Sequence, residues 1–141
     1  MKKTNIIFWV TTSIIFLMEG LLPALTSQTE MAKEGIRHLG YPAYFGVALT
    51  VFKVLGALVL IVPKFSPRVK EWAYAGFAFD FIFASISTAA TDGIGGLAFF
   101  PLIFLVLLVF SYRAYHKKLN TGTINQRKSN ADDRKNELLA G

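Results

Sequence analysis

The sequence predicts an all-α integral membrane protein, a four-helix bundle with both termini in the cytoplasm. Three observations predict it. Four apolar runs are long enough, or nearly so, to cross a bilayer. Charged residues make up 17% of the chain against 53% hydrophobic, and they sit mostly in blocks between those runs. The basic residues fall almost entirely on alternate connections. A soluble helical domain would instead scatter charge along every helix.

The runs are residues 6–25, 43–62, 72–90 and 97–112. The first is charged only at Glu19, the second only at Lys53 and the third only at Asp80, while the fourth carries no charge. A helix rises about 1.5 Å per residue, so about 20 residues cross a hydrocarbon core of about 30 Å. The first three runs fit. The fourth is short and draws on residues 94–96 and on snorkelling by Arg113. The runs are continuously apolar, without the alternation of a barrel strand. The first run resembles a secretory signal, since Lys2 and Lys3 precede it, but its length and the internal Glu19 favour a retained helix.

With the N-terminus inside, twelve Lys and Arg lie in cytoplasmic parts: Lys2, Lys3, Lys64, Arg68, Lys70 and seven from Arg113 onward. Only Lys33 and Arg37 lie outside. That asymmetry sets the orientation. Trp9, Trp72, Tyr74, Tyr112 and Tyr115 then fall near the inner interface and Tyr41 and Tyr44 near the outer one. The net charge of +6 flanks apolar segments and forms no nucleic-acid-reading surface. The absence of cysteine excludes disulfide exchange, thiolate catalysis and cysteine-ligated metals.

The first outer loop, 26–42, spaces Glu30, Lys33, Glu34 and Arg37 three and four residues apart. This fits either a short amphipathic helix on the membrane or a solvated loop. Residues 63–71 form a tight inner loop with Pro63 and Pro67, and 91–96 a Gly-rich outer turn. The composition turns polar after His116, so the transmembrane domain is expected over 1–120 and a mobile polar tail over 121–141.

Charge within a membrane span costs about 2.5–3.5 kcal/mol at the centre on insertion scales, so Glu19, Lys53 and Asp80 each need a reason. Counted from the outer ends of their spans, they lie roughly 9, 15 and 15 Å deep. Lys53 shares its helix side with Gly46, Thr50 and Ala57; Asp80 shares one with Ala73, Gly76, Ala84 and Ser87. Thr12 lies seven residues before Glu19 and shares its face. Small residues allow close helix approach in lipid. The three ionisable residues therefore predict an intramembrane polar cluster, with Thr12, Thr50, Ser87 and His38 as further cavity-lining candidates. Such a cluster serves either as a buried ionic knot that fixes register or as a cavity that binds a polar head group or passes a proton. The fourth helix, apolar until Ser111, is expected to act mainly as a packing wall. His38 and His116 fall on opposite sides and cannot share one haem. No metal-ligand pair, hydrolase elbow or nucleotide loop is present.

Three segments carry a family resemblance: His38-Leu39-Gly40-Tyr41-Pro42-Ala43-Tyr44-Phe45, Lys53-Val54-Leu55-Gly56-Ala57 and Lys70-Glu71-Trp72-Ala73-Tyr74-Ala75-Gly76-Phe77. In this order they resemble the DoxX-like family of small bacterial membrane proteins, from the first helix to about Leu119. The resemblance implies a four-helix membrane bundle, a place in the bacterial cytoplasmic membrane and a link to quinone-coupled or sulfur-oxidising systems. Lys53, Glu71 and the small-residue face of the third helix match the family pattern. Similar proteins often carry Ser-His late in that helix, where this chain has Ser87-Thr88. The expected function is an accessory subunit of a membrane redox system with a site for a quinone or similar small molecule. The alternatives are a small proton-linked transporter and a purely structural partner of another membrane protein or of itself.

The twelve-to-two asymmetry makes a direct prediction. A reporter fused after Gly141 should read cytoplasmic and one inserted at Ala32 periplasmic. A periplasmic C-terminus overturns either the helix count or the orientation.

Overall fold

Each apolar run satisfies its backbone by becoming helix, since hydrocarbon offers no water to unpaired amides and carbonyls. The computed structural model describes residues 2–141. Its helices are α1 (Lys2–Thr26), α2 (Glu30–His38), α3 (Ala43–Ile61), α4 (Pro67–Asp92) and α5 (Gly96–Ala140). No strand occurs among the described residues. Four helices, α1, α3, α4 and α5, are long and apolar enough to cross a membrane.

The four close into a ring. The first half of α1 packs on α5, its second half on α3, and α4 lies against both α3 and α5. The core runs through Phe8, Ile15, Leu60, Tyr74, Phe77, Phe81, Phe104 and Leu108. Phe77, Phe81 and Phe104 form a stacked series with centroids 6.0 and 5.9 Å apart. Large apolar side chains such as Val10, Phe52, Phe79, Phe83, Ile103 and Val106 point outward, as a lipid-facing surface requires. The short helix α2 packs against α3, with Ile36 over Gly46.

The connections follow local chemistry. Ser66 caps α4 by accepting from the Val69 amide, and Pro67 occupies its first turn, so this helix starts inside the predicted 63–71 loop. Gly93 ends α4 at φ 85°, a left-handed conformation that favours glycine. For 26–42, the helix is the alternative realised: Thr29 caps α2, and Lys33–Glu30 and Arg37–Glu34 pair at 3.7 and 3.3 Å.

Two features depart from the sequence reading. Residues 16–21 of α1 wind as a π-helix, with the Leu22 amide bonded to the Leu17 carbonyl. Pro23 follows and has no amide to continue the ordinary ladder to Glu19. The widened turn rotates Glu19 relative to Thr12. The second departure is the expected mobile tail at 121–141, whose backbone continues α5 as helix to Ala140. A formed membrane helix spares the nucleation cost, and Lys, Arg, Glu, Leu and Ala propagate it readily. Every residue from 122 to 141 is nevertheless exposed, so this extension docks on nothing.

Gly20 sits where α1 crosses α3, and a Cβ there would lie 2.6 Å from the Ala57 Cβ. Gly20→Ala should therefore lower the melting temperature in detergent, since overpacking costs about 1–3 kcal/mol. Ala57→Gly in the same chain should return part of the loss. Gly76→Ala, with nothing within 4 Å of the added carbon, should leave stability nearly unchanged. Equal effects at both glycines would show that the crossing is not close-packed.

Candidate functional site

Lys53, midway along α3, reaches two carboxylates on two other helices. Its Nζ donates to Glu19 Oε2 of α1 at 2.7 Å and lies 3.1 Å from Asp80 Oδ2 of α4. All three side chains are largely buried, at 20, 12 and 16% exposure for Lys53, Glu19 and Asp80. The π turn aims Glu19 at α3, and the close Gly20–Ala57 crossing brings α1 within a lysine's reach.

The two carboxylates are not equivalent. Glu19 takes a well-directed hydrogen bond. Asp80 Oδ2 is ion-paired with the ammonium at 3.1 Å but takes no well-directed hydrogen bond from it. Full ionisation also leaves two negative charges against one positive. The cluster is attractive but not saturated, and a further directed donor at Asp80 would be favourable.

Asp80 and Lys53 open onto a groove of about 560 Å³ between α3 and α4. Its walls include Phe52, Gly56, Trp72, Ala73, Gly76 and Phe77. The small residues of α4 were expected to bring these helices together. Instead Phe77 takes the close approach, against Gly56, where a Cβ would meet its ring at 3.0 Å. The bulk of Phe77 props the helices apart and leaves Gly76 facing open space. Phe52 and Trp72 are strongly exposed, so the groove opens sideways to lipid.

The other sequence candidates lie elsewhere. Thr12 is fully buried and bonds to Ser111 of α5 at 2.7 Å, away from Glu19. The π turn is the reason, because it breaks the shared face that a straight helix would give. Ser111 also pairs with Tyr74 at 2.8 Å, so α5 is more than a packing wall. Thr50 donates to the Gly46 carbonyl of its own helix at 2.9 Å. Ser87 pairs with Tyr41 at 2.6 Å, and His38 Nε2 with Asp92 Oδ1 at 2.6 Å. These two contacts tie the α2 segment to the end of α4. At the opposite end Glu71 accepts from Tyr112 at 3.1 Å and pairs with His116. Sequence reasoning missed Tyr41, Asp92 and Tyr74 as partners, because nothing in their local pattern marks a contact 37 to 54 residues away. No group of three or more His, Asp or Glu able to hold a metal occurs among the described residues.

The shared ammonium predicts strong coupling. Lys53→Met and Asp80→Asn should each lower stability clearly, since breaking a buried pair from one side costs about 3–5 kcal/mol. The double variant should recover part of the loss. Strictly additive losses in thermal denaturation would show that the two side chains do not interact.

Comparison with known proteins bears on the sequence that builds this site. No curated protein and no solved structure matches the chain. The sequence profile of the DoxX-like family matches residues 7–111. That interval takes in Glu19, Lys53, Asp80 and Ser111 and omits the exposed helical extension. The chain belongs to the DoxX-like family.

Proposed function

We propose that this DoxX-like protein is an accessory subunit of a membrane redox system that binds a quinone-type head group in the α3–α4 groove. The observation that carries the reading is Asp80 Oδ2, a buried acceptor that is ion-paired with Lys53 but lacks a well-directed donor, on the wall of a groove open to lipid. A hydroquinone hydroxyl supplies that donor. The Lys53 ammonium beside it suits a quinone carbonyl, and Trp72 and Phe77 offer flat apolar walls to a ring. Gly76 leaves the room that the ring needs. In this reading both termini are cytoplasmic, the host membrane is the bacterial inner membrane, and electron transfer belongs to a partner protein.

A proton-linked carrier is the second reading. It is favoured by three ionisable groups from three helices in direct contact, and it requires pH-dependent flux in liposomes.

Trp72 reports on the groove. In a Trp9→Phe background it is the only tryptophan. A short-chain benzoquinone should quench its fluorescence saturably, and Gly76→Leu, which fills the groove, should abolish the saturable component. Linear quenching of equal slope in both proteins would reflect partition into the micelle and reject the site.

A further inference from the structure

A second pocket, of about 430 Å³, lies at the end of the bundle where α1 begins and the extension of α5 leaves it. It opens between the start of α1, the α3–α4 connection and α5, just beyond the apolar stretch of α5. Aromatic rings of Phe8, Trp9 and Tyr115 wall it, and Lys70 and Lys118 line it. Lys70 is only 3% exposed. Its ammonium gives one hydrogen bond, to the Leu60 carbonyl at 3.0 Å, and has two further protons to donate.

Neither lysine has an acidic partner among the described residues. Glu71, next to Lys70 in the chain, turns to Tyr112 and His116 instead. The two ammonium groups are near enough for Lys118 to act on Lys70 as a like charge. The rings soften this without neutralising it. Lys118 Nζ lies 4.5 Å from the Phe8 centroid and 5.5 Å from that of Trp9, and Lys70 Nζ lies 5.5 Å from that of Tyr115. A buried cation beside a second cation, in a walled pocket without a carboxylate, is a site for an anion. Its level in the bilayer sets the class of anion. Lys70 stands in the first turn of α4, two residues before Trp72, and Lys118 lies six residues beyond Tyr112, where the continuous apolar run of α5 ends. Both positions belong to the head-group layer, where basic pockets between helices hold lipid phosphates.

We propose that Lys70 and Lys118 form a binding site for a phosphate-type anion, supplied by the head group of a lipid or by free phosphate. The two ammonium groups clasp the phosphate oxygens, and the aromatic walls pack against the glycerol and upper acyl carbons when the anion is a lipid. The site is separate from the α3–α4 groove and does not depend on what that groove binds.

The test uses the full chain purified in a neutral detergent. Melting temperature is measured with added phosphatidylcholine, with added phosphatidylglycerol, and with inorganic phosphate alone. Three proteins are compared: wild type, Lys118→Gln, and Lys128→Gln on the exposed extension of α5. Lys70→Met is held in reserve because its burial makes misfolding a risk, whereas Lys118 is only half-buried. Phosphatidylglycerol should raise the wild-type melting temperature above the phosphatidylcholine value. Lys118→Gln should lose most of that rise and Lys128→Gln should keep it. The same pattern with inorganic phosphate supports the site and assigns it to the free anion. No rise with either anion, an equal rise in Lys118→Gln, or an equal loss in Lys128→Gln overturns the proposal, the last because it reflects general charge attraction.

Discussion

A lysine ammonium inside hydrocarbon has neither water nor counterion unless the protein supplies them, and here two helices supply them together. Lys53 on α3 is held between Glu19 on α1 and Asp80 on α4. The pairing constrains three of the four membrane helices at once. It fixes the rotation of α3 and sets the level of α1 against it. It also requires Glu19 to face α3 while the first half of α1 faces α5. A straight α-helix does not satisfy both demands, and the π turn at residues 16–21 does. Pro23 makes that turn accessible by removing an amide from the ladder.

Several other polar side chains pair between helices, layer by layer. Thr12, Ser111 and Tyr74 form a hydroxyl chain that ties α1, α4 and α5. Tyr41–Ser87 and His38–Asp92 close one end, and Glu71 with Tyr112 and His116 closes the other. In lipid, apolar side chains gain little by leaving one apolar medium for another, so packing and such hydrogen bonds specify the arrangement. The close contacts of Gly20 with Ala57 and of Gly56 with Phe77 act in the same sense. Where a contact of this kind is missing, at Gly76, a groove remains.

That groove is where architecture and the proposed function meet. An ionic knot built only to hold helices would complete its hydrogen bonds and close over them. This one leaves Asp80 Oδ2, ion-paired with Lys53, without a well-directed hydrogen bond beside a lipid-accessible opening. The basic pocket between α1 and α5 repeats the theme with opposite sign, since Lys70 and Lys118 lack a carboxylate. Both sites are defined by what the chain does not supply to its own buried charges. Membership of the DoxX-like family is compatible with a small-molecule role and names no ligand.

The sequence by itself determined the membrane class, the four apolar helices and the three intramembrane charges. Each is a local property: hydropathy over about 20 residues decides a span, and an ionisable residue within a span stands out without reference to any neighbour. Depth counting from the span ends also placed Lys53 and Asp80 at one level, because helical rise is nearly constant. Facing was less legible. Thr12 and Glu19 share a side only if α1 is straight, and the π turn broke that inference. The helical state of 121–141 was also missed, because composition reports whether a segment has a face to bury, and a helix extended from a membrane span needs none. Only the tertiary structure decided which partners meet, as with Tyr74 and Ser111, and which space stays open, as at Gly76. Contacts and voids depend on how side chains from distant segments pack in three dimensions, and no local periodicity encodes that.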